Sequence, residues 1–198
     1  MEYKFQAEVK QVLDIVINSL YTDKEIFVRE LVSNASDASE KFRFASLEKG
    51  QAIDNNSLKI KIDCNAEKSE FSIEDSGIGM TEKEIAENLG TIAHSGSKAF
   101  SKAMQANGGK LPENIIGQFG VGFYSVFMVA DKVEVLTKSE NDKAYLFKCD
   151  GSENFSINEA EKPERGTKIT AHLKPEYKEF ADPQRIREIL EKYSAYVD

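Results

Sequence analysis

A helical segment from about residue 24 to residue 47 constrains the fold most, because its side chains divide into two stripes of opposite character. Side chains three and four positions apart lie on the same face of an α-helix. The apolar stripe predicts a helix packed against a core, and it consists of Val28, Leu31, Val32, Ala35 and Phe42. The polar stripe consists of Glu30, Asn34, Asp37 and Lys41. It predicts either a solvated helix surface or one wall of a polar pocket, and the rest of the chain must decide between them.

Length, charge and cysteine content set the class of protein. The 198 residues are enough for one domain with a substantial core. A net charge of −8 argues against nucleic acid as a partner, although a single nucleotide needs only local hydrogen-bond donors. No apolar run approaches the length of a membrane span, and we expect no signal peptide. Cys64 and Cys149 lack CxxC or zinc-site spacing, so we expect reduced thiols in a cytoplasmic protein.

The order of helices and strands predicts an α/β fold. Helical periodicity predicts helices at 9–21 and 24–47, capping signals predict helices at 81–89 and 183–196, and an apolar run predicts a helix at 123–130. Alternating patterns predict strands at 58–63, 70–74, 132–138, 143–149, 155–158 and 166–173, with a possible edge strand at 1–7. Thr81 and Glu84 have the spacing of a capping box. We therefore predict a two-layer sandwich, with a mixed, mostly antiparallel sheet and helices on one face.

A glycine-containing turn follows the strand at 70–74. It reads Asp75-Ser76-Gly77-Ile78-Gly79. Glycines allow a sharp turn and the close approach of a flat ligand. A carboxylate at this place can accept a hydrogen bond from an amino group such as that of adenine, but Asp75 could equally cap a tight turn.

A second glycine pattern, Gly117-x-x-Gly120-x-Gly122, precedes the predicted apolar helix. Backbone N–H groups at such a helix start can bind phosphate. The pattern lacks the GK[ST] ending of a P-loop and does not open a βαβ unit as a Rossmann fingerprint does. A nucleotide site here would be of a third type.

The polar stripe and the two glycine patterns, in this order, resemble the ATP-binding domain shared by gyrase, heat-shock protein 90, histidine kinases and MutL, the Bergerat fold. The strings FVRELVSNASDA, DSGIGMT, LGTIAHSGSKAF and IGQFGVGFYS are similar to those of heat-shock protein 90 chaperones, in particular of the bacterial HtpG type. The resemblance covers essentially the whole chain.

The resemblance implies a role for each matching residue. Asp75 would bind the adenine amino group, with Thr167 assisting through water. Asn34 would be the one protein ligand of Mg²⁺, and Glu30 would orient and deprotonate the attacking water. The other expected contacts to ATP or ADP are Asp37, Ala38, Lys41, Gly79, Met80, Asn88, Leu89, Ser95, Gly96, Gly117, Gln118, Phe119, Gly120, Val121, Gly122 and Phe123.

The resemblance also implies a larger protein. Residues 1–198 would form a single N-terminal ATPase domain whose lid, at about 90–120, closes over ATP. Middle and C-terminal domains would lie outside this chain, and the middle domain would supply a catalytic arginine. The isolated domain would then bind nucleotide but hydrolyse it weakly.

The implied partners are those of a stress-response chaperone. They are unfolded or partly folded client proteins, and a second copy joined through the C-terminal domain. The pocket would also admit ATP-competitive inhibitors. No nucleic acid and no membrane are expected.

Two histidines, His94 and His172, lie near or within the predicted elements. His94 stands where many relatives carry a lysine near the phosphates, which puts that phosphate contact in doubt. A surface position in the lid would explain it equally. His172 lies in a predicted strand, and we expect a structural role.

Three other functions fit the sequence less well than a chaperone ATPase does. A histidine kinase domain would lack the hydrolytic base, and neither histidine lies in a plausible acceptor helix. A gyrase or MutL ATPase would share Glu30 but would be expected to approach DNA, which the net charge does not support. A binding module without chemistry is disfavoured by the presence of Glu30, Asn34 and Asp75 together.

Overall fold

A computed structural model describes residues 2–4, 23–54, 57–90, 122–151 and 154–193, with the backbone alone for residues 2–4. One sheet of seven strands forms one layer, and helices cover one of its faces. The prediction of an α/β two-layer architecture is confirmed. Every strand pairing among the described residues is antiparallel, so the parallel pair that a mixed sheet would contain is not found among them.

The sheet has the spatial order β1-β6-β5-β4-β7-β3-β2. Its strands are β1 (Glu2–Lys4), β2 (Ile60–Asn65), β3 (Glu70–Asp75), β4 (Ala130–Lys138), β5 (Ala144–Cys149), β6 (Asn154–Ala160) and β7 (Gly166–Leu173). The last of the described strands, β7, is inserted between β3 and β4. This insertion brings residues from three distant parts of the sequence next to one another at the centre of the sheet.

Three α-helices and two 3₁₀ helices are described. They are α1 (Ile26–Glu48), α2 (Glu82–Asn88) and α3 (Pro183–Tyr193), with 3₁₀ helices at Gly122–Met128 and Pro175–Ala181. Side-chain caps mark the beginning of α2 and α3. The Asp182 carboxylate accepts from the Gln184 N–H at 2.8 Å at the start of α3, whereas before α1 the Asp23 carboxylate accepts from the Glu25 N–H at 3.0 Å in the preceding turn. The predicted capping box of Thr81 and Glu84 is present in full at the start of α2.

The apolar stripe of α1 packs against the helix-covered face of the sheet. Val28, Leu31, Val32 and Ala35 are buried, as predicted. Beside them, the Phe27 ring meets the rings of Phe71 and Phe180 edge-on, with centroids 5.3 and 5.1 Å apart. Phe42, the last member of the predicted stripe, is instead half-buried at the edge of the core, where an arginine covers its ring.

The segment after the second glycine pattern differs from the prediction. A helix was expected over 123–130, but a 3₁₀ helix ends at Met128 and β4 begins at Ala130. Its residues are all buried, and an apolar run of this length does not distinguish a buried helix from a buried strand. The 3₁₀ helix at Pro175–Ala181 was not predicted. The predicted helix at 9–21 lies outside the described residues.

The outer face of the sheet is charged. His172 Nδ1 lies 3.3 Å from a Glu70 carboxylate oxygen on this face, which suits the structural role expected of it.

Cys64 and Cys149 are both unpaired thiols, as expected. Within the described part of the chain, no helix has the length and apolar character needed to cross a membrane.

Replacing Phe27 by alanine should lower the free energy of unfolding by about 3–5 kcal/mol, because the ring is fully buried against two other aromatic rings. Urea denaturation measures this loss. Phe44, on the same helix, is 64% exposed, so Phe44→Ala is the matched control and should change stability by less than about 0.5 kcal/mol. Equal losses in the two variants would contradict the described packing of α1.

Candidate functional site

A pocket of about 410 Å³ lies between α1 and the centre of the sheet. An apolar row of the sheet forms its floor: Ile73 on β3 faces Ile169 on β7, which faces Val135 on β4. The walls come from α1, the turn after β3, α2 and the first 3₁₀ helix. The wall residues are Leu31, Asn34, Ala35, Asp37, Ala38, Lys41, Ile78, Gly79, Met80, Glu84, Glu87, Asn88, Leu89, Gly122 and Phe123.

A polar row lies next to the apolar floor, two residues further along β3 and β4 and two residues earlier along β7. Asp75 is paired in register with Thr167, and Thr167 with Thr137. Alternation places all three side chains on the helix-covered face. Each is buried, with 7% or less of its surface exposed. The sheet therefore presents a carboxylate and hydroxyl groups at one end of an otherwise apolar floor.

Asp75 is the most perturbed carboxylate of this row. Its Oδ1 accepts the Gly77 N–H at 2.8 Å, and the Thr167 N–H also hydrogen-bonds to the carboxylate. Burial outweighs these hydrogen bonds and raises the pKa of Asp75 to about 6. A buried carboxyl group of this kind is a strong acceptor for a ligand N–H once it is ionised.

The turn after Asp75 is pressed against both α1 and the sheet. The Ile78 N–H donates to the Ala38 carbonyl at 3.0 Å, and a Cβ on Gly77 would lie 2.6 Å from the Ala38 backbone. Gly79 has φ +69°, and a Cβ there would lie 1.9 Å from the Lys138 carbonyl oxygen. Both positions therefore require glycine, one for space and the other for conformation as well.

Arg165, in the turn before β7, holds this glycine turn from the other side. Its Nη1 donates to the Ser76 carbonyl at 2.6 Å and to the Gly77 carbonyl at 2.9 Å. Its guanidinium lies over the Phe42 ring, 3.2 Å from the centroid. One side chain thus joins the glycine turn, α1 and the start of β7.

Glu30 is buried beside the start of the first 3₁₀ helix, just outside the residues that line the pocket. A Cβ on Gly122 would lie 2.5 Å from Glu30 Oε2, which is too close, so the carboxylate can occupy this position only because residue 122 has no side chain. Burial raises the pKa of Glu30, and the neighbouring Arg29 guanidinium, 3.4 Å away, partly opposes the rise. A carboxylate with a raised pKa is suited to accept a proton.

The structure brings most of the predicted site residues together around this pocket. Twelve line it: Asn34, Asp37, Ala38, Lys41, Asp75, Gly79, Met80, Asn88, Leu89, Gly122, Phe123 and Thr167. Asn34, Asp37 and Lys41 of the polar stripe are exposed on the α1 wall. Outside the described residues lie Ser95, Gly96, Gly117, Gln118, Phe119, Gly120 and Val121, together with His94 and most of the predicted lid.

Sequence reasoning missed two kinds of residue. It did not identify the apolar floor, because Ile73, Val135 and Ile169 read simply as core. It also missed Thr137 and Arg165, which support the pocket without lining it. Thr137 carried a signal, since it continues the buried side of the alternation Val133, Val135 and yet is polar.

Comparison with known proteins places the chain in a family. The family described as histidine kinase-, DNA gyrase B- and HSP90-like ATPase matches residues 21–173. This chain belongs to that family. The match includes every residue that lines the pocket.

Individual relatives are similar over nearly the whole chain. The chain is 49% identical to the chaperone protein HtpG of Desulfitobacterium hafniense, over 98% of its length and 32% of that protein. It is 47% identical to HtpG of Chlorobium chlorochromatii, over 100% of the chain and 32% of that protein. It is 50% identical to the mitochondrial heat shock protein 75 kDa of Rattus norvegicus, over 99% and 28%. The chain thus spans about a third of the length of these relatives.

Replacing Arg165 by methionine should loosen the glycine turn, because two hydrogen bonds from a charged donor to its carbonyl groups are lost. We expect faster amide hydrogen exchange over residues 76–80 and a loss of about 1–3 kcal/mol in the free energy of unfolding. Arg43→Met is the control, since Arg43 pairs with Glu40 on the helix surface, where an ion pair contributes little. Unchanged exchange over 76–80 in Arg165→Met would contradict this bracing role.

Proposed function

We propose that the pocket binds ATP and ADP, with the adenine base on Asp75 and the phosphates near Asn34 and Gly122. The observation that carries this proposal is the buried polar row beside an apolar floor. A flat purine can lie on Ile73, Ile169 and Val135 while its edge meets Asp75 and Thr167. Asn88, Leu89, Met80 and Ala38 supply further wall surface for the base and the sugar.

The polar stripe of α1 supplies the groups for the phosphate end. Asn34 offers a neutral amide oxygen on the pocket wall, and Lys41 offers a cation at its rim. Among the described residues, no group of three or more His, Cys, Asp or Glu side chains could hold a metal ion alone. The Asn34 amide oxygen, with phosphate oxygens and water as the other ligands, matches the oxygen set that Mg²⁺ prefers, and the ion would neutralise phosphate charge there.

Glu30 supports hydrolysis rather than binding alone. Its carboxylate lies next to Gly122, on the side of the pocket where α1 meets the first 3₁₀ helix. Its raised pKa favours acceptance of a proton from an attacking water. A transferase to a protein histidine would not need this base, so Glu30 favours an ATPase over a kinase.

The whole protein is proposed to be a cytoplasmic chaperone of the HtpG type, active in protein folding under stress. The similarity to proteins named chaperone protein HtpG and heat shock protein 75 kDa supports this. In this proposal residues 1–198 are its N-terminal nucleotide-binding domain, and closure of a lid at about 90–120 couples ATP to the chaperone cycle. Unfolded clients, a homodimer formed outside this chain, and ATP-competitive inhibitors are the proposed partners.

The Asp75→Asn variant should bind adenosine about 100-fold more weakly than the unaltered chain, because an amide N–H₂ replaces part of an acceptor that faces the adenine amino group. Calorimetry with adenosine measures the base contact without phosphate. The Asp63→Asn variant is the control, because Asp63 lies on β2, away from the pocket. Unchanged adenosine affinity in Asp75→Asn would remove Asp75 from base recognition.

The binding of adenosine should also depend on pH. The pKa of Asp75 is raised to about 6, so the carboxylate that accepts the amino group forms only as the pH rises through that value. We expect affinity at about pH 5 to be roughly tenfold below that at about pH 7. Titrations across this range measure the dependence, which should disappear in the Asp75→Asn variant. A flat profile in the unaltered chain would contradict the environment described for Asp75.

Replacing Glu30 by glutamine should leave ADP affinity within about twofold and lower ATP turnover by about 10²–10⁴-fold in the full-length protein, since only the proton acceptor is lost. Steady-state phosphate release and calorimetry on the same variant separate the two effects. Glu40→Gln, further along α1, is the control and should retain turnover. Normal turnover in Glu30→Gln would show that Glu30 is not the base.

A further inference from the structure

We propose that Thr137 is a positioning residue that directs the hydroxyl proton of Thr167 into the pocket, and so helps the site to select adenine over guanine. This inference rests on the proposed nucleotide function and extends it to a residue that does not line the pocket. It concerns the third member of the polar row, which lies behind Thr167 as seen from Asp75.

Thr137 is fully buried and has three polar neighbours. Its Oγ1 accepts the Met80 N–H at 3.0 Å, lies 2.9 Å from Thr167 Oγ1, and lies 3.3 Å from the Gly166 carbonyl oxygen. Met80 is itself a wall residue of the pocket. Thr137 therefore connects two residues of the pocket wall through one oxygen atom.

The protons of the two hydroxyl groups can be arranged in two ways. The Met80 N–H can only donate, so it always occupies one lone pair of Thr137. If Thr137 donates to the Gly166 carbonyl, Thr167 donates inward to Thr137, and only its lone pairs face the pocket. If Thr137 donates to Thr167, the Thr167 proton is free to point into the pocket.

A ligand that accepts a hydrogen bond from Thr167 favours the second arrangement, and the distances indicate that its energetic cost is small. The second arrangement keeps the 2.9 Å hydroxyl contact and gives up only the 3.3 Å contact, which is long for an O–H donor. The lost contact is replaced by a hydrogen bond from Thr167 to the ligand, direct or through one water. A chain of donors in which Thr137 donates to Thr167 also strengthens the outward bond.

The chemistry of the base edges then sets the selectivity. Adenine presents an amino donor at C6 beside an acceptor at N1, which matches an acceptor on Asp75 beside a donor on Thr167. Guanine presents the reverse order, a carbonyl acceptor beside an N–H donor. Guanine would place its carbonyl oxygen against the Asp75 carboxylate, and this buried acceptor would then lack a hydrogen-bond donor from the ligand.

The test combines variants of Thr137 with analogues of ADP. Calorimetry in the presence of Mg²⁺ compares the chain with its Thr137→Val and Thr137→Ser variants. The ligands are ADP, its 1-deaza analogue, which has C–H in place of N1, and purine riboside diphosphate, which lacks the amino group. Thr170→Val is the matched control, because Thr170 lies on β7 but on the opposite face of the sheet.

Thr137→Val removes the hydroxyl that donates to Thr167 and so fixes the Thr167 proton toward the pocket. We expect it to weaken the binding of ADP and of purine riboside diphosphate about tenfold more than that of 1-deaza-ADP, which is affected only by the loss of the Met80 hydrogen bond. Thr137→Ser keeps the hydroxyl and should bind ADP within about twofold of the unaltered chain, as should Thr170→Val. If Thr137→Val fails to fold, Thr137→Cys, with its weak S–H donor, should show a smaller loss confined to the two ligands that retain N1.

An equal loss for all three ligands would assign Thr137 a merely structural role and overturn the inference, as would no loss for any of them. Both results leave ADP binding by the unaltered chain intact, so they would not touch the proposed function. Failure of the unaltered chain to bind ADP would instead overturn the proposed function, and this inference with it.

Discussion

The insertion of β7 between β3 and β4 is the constraint on which the pocket depends. Antiparallel pairing in that order brings Asp75, Thr167 and Thr137 into one row, although they lie far apart in sequence. The same register places the apolar floor of Ile73, Ile169 and Val135 in the adjacent row on the same face of the sheet. A slip of one residue in either pairing would turn these side chains to the charged outer face, and the site would be lost. The register is therefore as much a part of the site as the side chains are.

The second wall depends on how closely α1 approaches the turn after β3. Gly77 allows the turn to touch the backbone of Ala38, and Gly79 allows it to pass the carbonyl of Lys138. Arg165 holds the turn in place from the side of β7. Because α1 is anchored through its buried apolar stripe, Asn34 and Asp37 are held at the pocket on a rigid element. The polar stripe is thus a pocket wall rather than a fully solvated surface.

Much of this arrangement could be predicted from the sequence, and the reasons differ between residues. The two stripes of α1 follow directly from helical periodicity, and the strands β3, β4 and β7 from alternation. Asp75 was found because it ends a strand and precedes glycines. The order of the strands could not be derived from periodicity, since alternation does not reveal which strands pair, and the order comes from the structure. Without that order, Thr137 reads as an ordinary strand residue and Arg165 as an exposed charge in a turn. The 3₁₀ helix at Gly122–Met128 was mistaken for part of a longer helix because its buried residues carry no period.

The central claim is that the described pocket recognises adenine, and calorimetric titration of the 198-residue chain with ADP·Mg²⁺ and with GDP·Mg²⁺ tests it most directly. The two ligands carry the same sugar and phosphates, so a difference between them reports on the base alone. Binding of ADP with GDP at least about 100-fold weaker is the predicted result. Equal binding of both would contradict base recognition by Asp75 and Thr167, and binding of neither would contradict a nucleotide site in this pocket.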